Sequence, residues 1–242
     1  MSLRANRLAA GFAQRRVLSD LTLDIALGQC WAVLGNNGSG KTTLLHTLAG
    51  IRAPLAGSVA LDDAELDTLG TMQRARQIAL LLQEEPLEFW GSVLEYVSLG
   101  RYPHRRGWFA ASPRDEAIAR AQLELLELDR FSERPLASLS GGERQRARLA
   151  LALTQQPIYY LLDEPLQHLD LRHQARVLTH FARLAAGGEA AVVMALHDPV
   201  LAQRYCDRAL LLFEQAPPLS GPRQAVLTPE HLERLYGVPV TL

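Results

Sequence analysis

The sequence predicts an α/β fold, with a largely parallel sheet, an antiparallel β layer from the N-terminal stretch, and an inserted helical subdomain. Three observations lead there. Short apolar runs recur with helical stretches between them, as in folds whose strands are buried on both faces. The first 27 residues break into shorter pieces that alternate apolar and polar side chains. From about residue 84 to 155 the strand signal disappears and helical patterning takes over.

Taken in order, residues 3–27 contain Leu21-Thr22-Leu23-Asp24-Ile25, an alternation that suits a strand with one face on a core. The apolar runs 30–34, 78–82, 158–162 and 191–196 have strand length. Residues 40–48, 142–153 and 171–185 read as helices. Within the helical stretch, Pro103, Gly107 and Pro113 punctuate the pattern, and 115–128 is a helix with an acidic start at Asp115 and Glu116. The tail turns through Ala216-Pro217-Pro218-Leu219-Ser220-Gly221-Pro222. After it Thr228 caps a short helix with Pro229 at its first position. About 1–83 and 156–242 therefore form a core with its β layer, and about 84–155 the helical subdomain, within one domain of 242 residues.

Composition narrows the class. With 48% hydrophobic and 21% charged residues the chain has enough apolar content to fold without disulfides. Its 25 basic and 26 acidic residues leave a net charge of −1, which does not favour a nucleic-acid partner. The basic, aromatic stretch 101–109 (Arg101, Arg105, Arg106, Trp108, Phe109) is short and reads as a solvated edge of the helical subdomain. Cys30 and Cys206 are far apart in sequence, lie in apolar stretches and read as reduced core thiols. No signal peptide opens the chain and no apolar run approaches the ~20 residues that span a bilayer, so service to a membrane would require docking on another chain.

Gly35-Asn36-Asn37-Gly38-Ser39-Gly40-Lys41-Thr42 matches G-x-x-x-x-G-K-[ST] in full, between the apolar strand Trp31-Ala32-Val33-Leu34 and a helix. Glycines let successive N–H groups turn inward on phosphate oxygens, and the helix N-terminus adds partial positive charge. Lys41 is placed to neutralise β- and γ-phosphates, the Thr42 hydroxyl to ligate Mg²⁺, and Thr43 continues the cradle. The strand ending Leu161-Leu162-Asp163-Glu164 carries two acids on opposite sides, so Asp163 suits the metal and Glu164 suits polarising an attacking water. His197 follows the last apolar strand at the end where ligand groups of such folds gather.

Leu139-Ser140-Gly141-Gly142-Glu143-Arg144-Gln145-Arg146 resembles the LSGGQ signature of ABC-type ATPases, in its Glu variant. Locally, Ser140 is expected to cap the helix beginning around Gly142, with its hydroxyl and free N–H groups facing outward as an anion site. The resemblance covers nearly the whole chain and implies a P-loop NTPase with a RecA-like sheet, binding ATP with Mg²⁺. It implies a head-to-tail homodimer in which Ser140, Gly141 and Gly142 contact the γ-phosphate held by the opposite subunit. Gln83 matches the glutamine that senses Mg²⁺ and γ-phosphate, and His197 the switch histidine. Leu169-Asp170 matches the end of the D-loop, and Phe12 the aromatic that stacks on adenine, where tyrosine is usual. His168 stands where the family carries a small residue. It either alters communication across the dimer or replaces that residue at a tolerant place.

Three segments are similar to ATPases of importers for iron–siderophore complexes, haem and cobalamin: residues 93–104, Arg204-Tyr205-Cys206-Asp207 and Val226-Leu227-Thr228-Pro229-Glu230. That resemblance implies transmembrane permease subunits, a substrate-binding protein working through them, and a peripheral place on the cytoplasmic face of the cell membrane. Residues 84–90, with Pro86, Phe89 and Trp90, are the candidate lining for a permease helix, with core filling by Phe89 and Trp90 as the alternative. An exporter ATPase shares the catalytic motifs. A soluble ABC-type regulator or repair ATPase with no membrane partner is the alternative from another class; such proteins usually fuse two ATPase units or insert long coiled coils, and the chain shows neither.

Overall fold

The alternation in residues 2–26 produces a bent antiparallel pair. In β1 (Ser2–Phe12), Leu3 and Ala5 face one way. A register shift next to Arg7, whose φ is 43°, then lets Leu8 and Ala10 face the same way. β2 (Arg15–Ala26) answers with Asp20 at φ 51° and buries Leu18, Leu21, Leu23 and Ile25. Such paired irregularities keep one apolar face while the strands curl. The structure is a computed structural model that describes residues 1–12, 15–83, 89–105, 112–214 and 216–240, without the side chains of Phe12 and Arg15.

The chain continues through β3 (Cys30–Leu34), α1 (Lys41–Leu48), β4 (Ala56–Leu61), β5 (Ala64–Glu65), α2 (Thr71–Gln77) and β6 (Ile78–Leu81). Three helices follow, α3 (Val93–Ser98), α4 (Pro113–Leu125) and α5 (Gly141–Gln155). Then come β7 (Tyr159–Asp163), α6 (Leu171–Ala186), β8 (Ala191–Ala195), α7 (Pro199–Tyr205) and β9 (Arg208–Leu211). β10 (Leu219–Pro222), α8 (Arg223–Val226) and α9 (Pro229–Tyr236) close the fold.

One sheet has the order β2-β1-β4-β5; the other runs β10-β9-β3-β8-β7-β6, parallel throughout except for its β10 edge. The core strands are apolar on both faces because each face has its own cover. Trp31, Val33, Tyr159, Leu161 and Val193 join Leu44, Leu45 and Leu48 of α1 and the antiparallel sheet. Ala32, Leu34, Tyr160, Leu162 and Met194 pack instead with α5, α6 and the helices of residues 93–155. Helix α6 presents the stripe Val177, Leu178, Phe181 and Ala185, and the Phe181 ring meets Tyr160 edge-on at 5.5 Å.

Among the described residues 89–155 every named element is helical. α4 begins two residues before the sequence suggests, because Ser112 accepts from the Asp115 N–H and Pro113 opens the first turn. Arg101 departs from the solvated edge expected of it. It is buried, pairs with Asp115 at 2.9 Å, and donates to the Thr154 carbonyl (3.1 Å) and to Gln156 (3.0 Å). Of the rest of that basic stretch, Arg106, Trp108 and Phe109 lie outside the described residues. The two aromatic candidates for a docking surface separate. Phe89 packs edge-on against Tyr96 (5.5 Å), whereas Trp90 is 95% exposed; Pro86 lies outside the described residues.

Cys30 and Cys206, distant in sequence, meet in the core with their sulfurs 3.7 Å apart as free thiols. The hydrogen bond that the Cys30 thiol donates to the Cys206 sulfur, and then burial, push the Cys30 thiol well above its ordinary pKa. Among the described residues no helix is long and apolar enough to cross a membrane.

Candidate functional site

The carboxyl ends of β3, β7 and β8 open on one cavity of about 660 Å³. The loop between β3 and α1 forms its floor. Gly38 and Gly40 take left-handed φ values of 82° and 100°, which turn the backbone around the space an anion would fill. At Gly35 a side chain would strike the Ser39 hydroxyl at 2.4 Å and the Leu212 carbonyl at 2.9 Å, so the first turn tolerates only glycine. Asn37, Gly38, Gly40, Lys41, Thr42 and Thr43 line the cavity, and Ser39 is buried behind them. Asn36 is exposed, and its side-chain amide donates to the Leu235 carbonyl of α9 at 3.0 Å.

Lys41 is buried, and its ammonium donates to the carbonyls of Gly35 (2.7 Å) and Asn36 (3.2 Å). Burial lowers its pKa, while Glu164 and Asp163 pull it back up. Asp163 is fully buried at the end of β7. Burial raises its pKa, and the Thr42 hydroxyl acts in the opposite sense, yet neither carboxylate oxygen has a well-formed hydrogen bond. A buried, unsatisfied carboxylate next to a threonine hydroxyl fits a hard cation that takes oxygen ligands.

Glu164 reaches the cavity from a backbone with φ 49°, a left-handed conformation that glutamate rarely adopts. One carboxylate oxygen meets His197 Nε2 at 2.8 Å and the other accepts from the Gln167 amide. Gln83, just past β6, lines the same cavity. Its carbonyl and that of Leu82 accept from Arg148 of α5, tying the segment to the helical layer. Sequence reasoning missed two members of this site, Gln167 and Val17. Gln167 follows Glu164 by one turn's spacing, and Val17 belongs to the alternating N-terminal stretch. Neither residue type marks a site by itself.

The predicted signature residues do not line this cavity. Ser140 caps α5, but the helix starts at Gly141, one residue earlier than expected. Its hydroxyl completes the capping role expected of it: it donates to the Glu143 carboxylate at 2.8 Å and accepts from the Glu143 N–H at 3.3 Å. The Ser140 N–H, 2.8 Å from the same carboxylate, and then the hydroxyl hold the Glu143 carboxyl below its ordinary pKa. Gly141 is exposed beside it. His168, at φ 60°, leans over this turn, so that a side chain on Gly142 would lie 2.8 Å from the His168 carbonyl. Asp170 is used as the cap of α6, accepting from the His173 N–H at 2.9 Å. The Phe12 side chain lies outside the described residues.

Comparison with known proteins decides the family. The ABC transporter family profile matches residues 18–167. The chain belongs to the ABC transporter family. It resembles the hemin import ATP-binding protein HmuV of Pseudomonas fluorescens, with 42% identity over 98% of this chain and 93% of that one. The protein of the same name from Rhodococcus jostii is 38% identical over 99% of this chain and 81% of its own length. Among solved structures, an inward-facing ABC transporter described as of metal-chelate type superposes with a TM-score of 0.84 and 31% identity, covering 98% of this chain and 90% of that one. The dimeric bacterial ABC transporter cassette MJ0796 gives 0.80 and 26%, covering 91% and 98%. The chain is thus an ABC-type ATP hydrolase, of a family whose ATPases dimerise and pair with permease subunits.

Proposed function

We propose that this chain energises the import of haem or a related metal chelate, as a head-to-tail homodimer docked on a transmembrane permease at the cytoplasmic face of the cell membrane. A substrate-binding protein would deliver cargo to that permease. The observation that carries the hydrolytic part is Glu164, held between His197 (2.8 Å) and Gln167 at the mouth of the phosphate-loop cavity. The import class is supported by relatives named for hemin import and similar over nearly the whole chain.

The residues divide the work as follows. The loop N–H groups and Lys41 receive the β- and γ-phosphates, with Lys41 giving up its carbonyl contacts for the stronger ones to phosphate. Thr42, Asp163 and Gln83 would hold Mg²⁺, which supplies charge neutralisation across the phosphate oxygens. Glu164 orients the attacking water and accepts its proton, and His197 donates toward the γ-phosphate side. Ser140, Gly141 and Gly142, exposed or half-buried and outside their own chain's cavity, serve the ATP of the opposite subunit, with Asp170 beside that interface. Phe12 stacks on adenine.

The test is Glu164→Gln. The variant keeps ATP binding and dimerises, and its turnover falls by about 10²–10⁴. Wild-type turnover would remove Glu164 from the chemistry. Hemin uptake by vesicles carrying the complex, against cobalamin and a ferric siderophore, tests the cargo.

A further inference from the structure

The last helix touches both loops on which hydrolysis depends. α9 ends at Tyr236, with Gly237 at φ 73° closing the turn. The Leu235 carbonyl is one of the last-turn acceptors that a helix leaves unpaired, and the residue four positions on is Pro239, which has no N–H to offer. Asn36 of the phosphate loop fills that vacancy at 3.0 Å. The same residue's main-chain carbonyl accepts from Lys41 (3.2 Å), so α9 is two contacts from the ammonium. One residue further along α9, the Tyr236 hydroxyl donates to the His197 carbonyl at 3.4 Å. Burial raises the Tyr236 pKa to about 12, which keeps its hydroxyl a donor at any working pH. Leu232 and Leu235 are buried in the main core, and the Arg234 guanidinium lies over the Phe213 ring at 4.8 Å, so the helix is a fixed body.

We propose that Asn36 and Tyr236 are positioning residues through which α9 aligns the phosphate loop with the turn bearing His197. This rests on the reading of Lys41 and His197 given above. Each contact acts through another residue, and loss of one hydrogen bond of this kind is expected to slow turnover about three- to tenfold.

The experiment measures ATP turnover by the full-length chain. Tyr236→Phe lowers kcat about three- to tenfold with the KM for ATP within about twofold, and it has no further effect in a His197→Ala background. Asn36→Ala raises the KM for ATP. The proposal is overturned if Tyr236→Phe turns over like the wild type, or if its loss is the same with and without His197, which is the signature of a merely structural role. An unchanged KM for Asn36→Ala overturns the phosphate-loop contact. His197→Ala alone tests the underlying reading: a wild-type rate there removes the histidine from hydrolysis, whatever Tyr236→Phe does.

Discussion

Replacing Asp163 by Asn should make the nucleotide-free protein more stable while ending its response to Mg²⁺. The carboxylate is fully buried, with no well-formed hydrogen bond on either oxygen. An unpaired buried polar group costs about 1–3 kcal/mol and an unpaired charge more; asparagine keeps the first cost and sheds the excess due to charge, on the order of another 1–3 kcal/mol. For a chain of this length each kcal/mol moves the melting temperature roughly 2–4 °C, so the variant should melt roughly 2–12 °C higher in EDTA. The pH dependence has a fixed sign. Asp163 takes up its proton at higher pH in the folded than in the unfolded chain. Its penalty is therefore full near neutral pH and fades as pH falls through the folded pKa, and the gap between variant and wild type closes in the same direction. The assay is thermal unfolding in EDTA and again with Mg-ATP. At a ligand concentration about 100 times Kd, ATP adds about 2.7 kcal/mol to the wild type, and the variant should gain much less. A variant that melts at or below the wild type in EDTA, or that gains as much from Mg-ATP, refutes the reasoning.

Other perturbations probe different parts of the chain. Gly142→Ala pushes a methyl group against the His168 carbonyl at 2.8 Å, so dimer ATPase activity should fall while ATP binding by the isolated chain is retained; ATP titration alongside turnover separates the two. Phe181→Ala empties a site that is 1% exposed and packed on Tyr160, with an expected loss of about 3–5 kcal/mol in urea unfolding. Ser112→Ala removes the cap of α4 and should lower stability by about 1 kcal/mol, with the KM for ATP unchanged.

The main architecture was legible because its signals are local. Apolar runs of strand length marked β3, β6, β7 and β8 to within a residue or two, and the glycine loop announced itself between strand and helix. What sequence could not give is long-range. Nothing in the spacing of Cys30 and Cys206 says that their sulfurs meet, since that follows from β9 pairing with β3. Arg101 looked solvated because its neighbours are basic; its partners, Asp115, Thr154 and Gln156, lie on elements that fold against it later in the chain. Asn36 read as part of the phosphate cradle by motif position alone, yet its side chain serves α9. The cap at Ser140, by contrast, is local, and it forms with the Glu143 carboxylate one turn on.

The backbone at Glu164 has a consequence for how such a chain changes over generations. At φ 49° a glycine would relax the turn, and asparagine or aspartate would tolerate it better than glutamate does. Holding glutamate there costs about 1–2 kcal/mol of folding free energy. Drift that favours sturdier folding therefore pushes this position away from the glutamate proposed above to activate the attacking water. Glutamate at 164 is a place where selection for turnover must continually outweigh selection for stability, and a copy released from the need to hydrolyse ATP should lose it early.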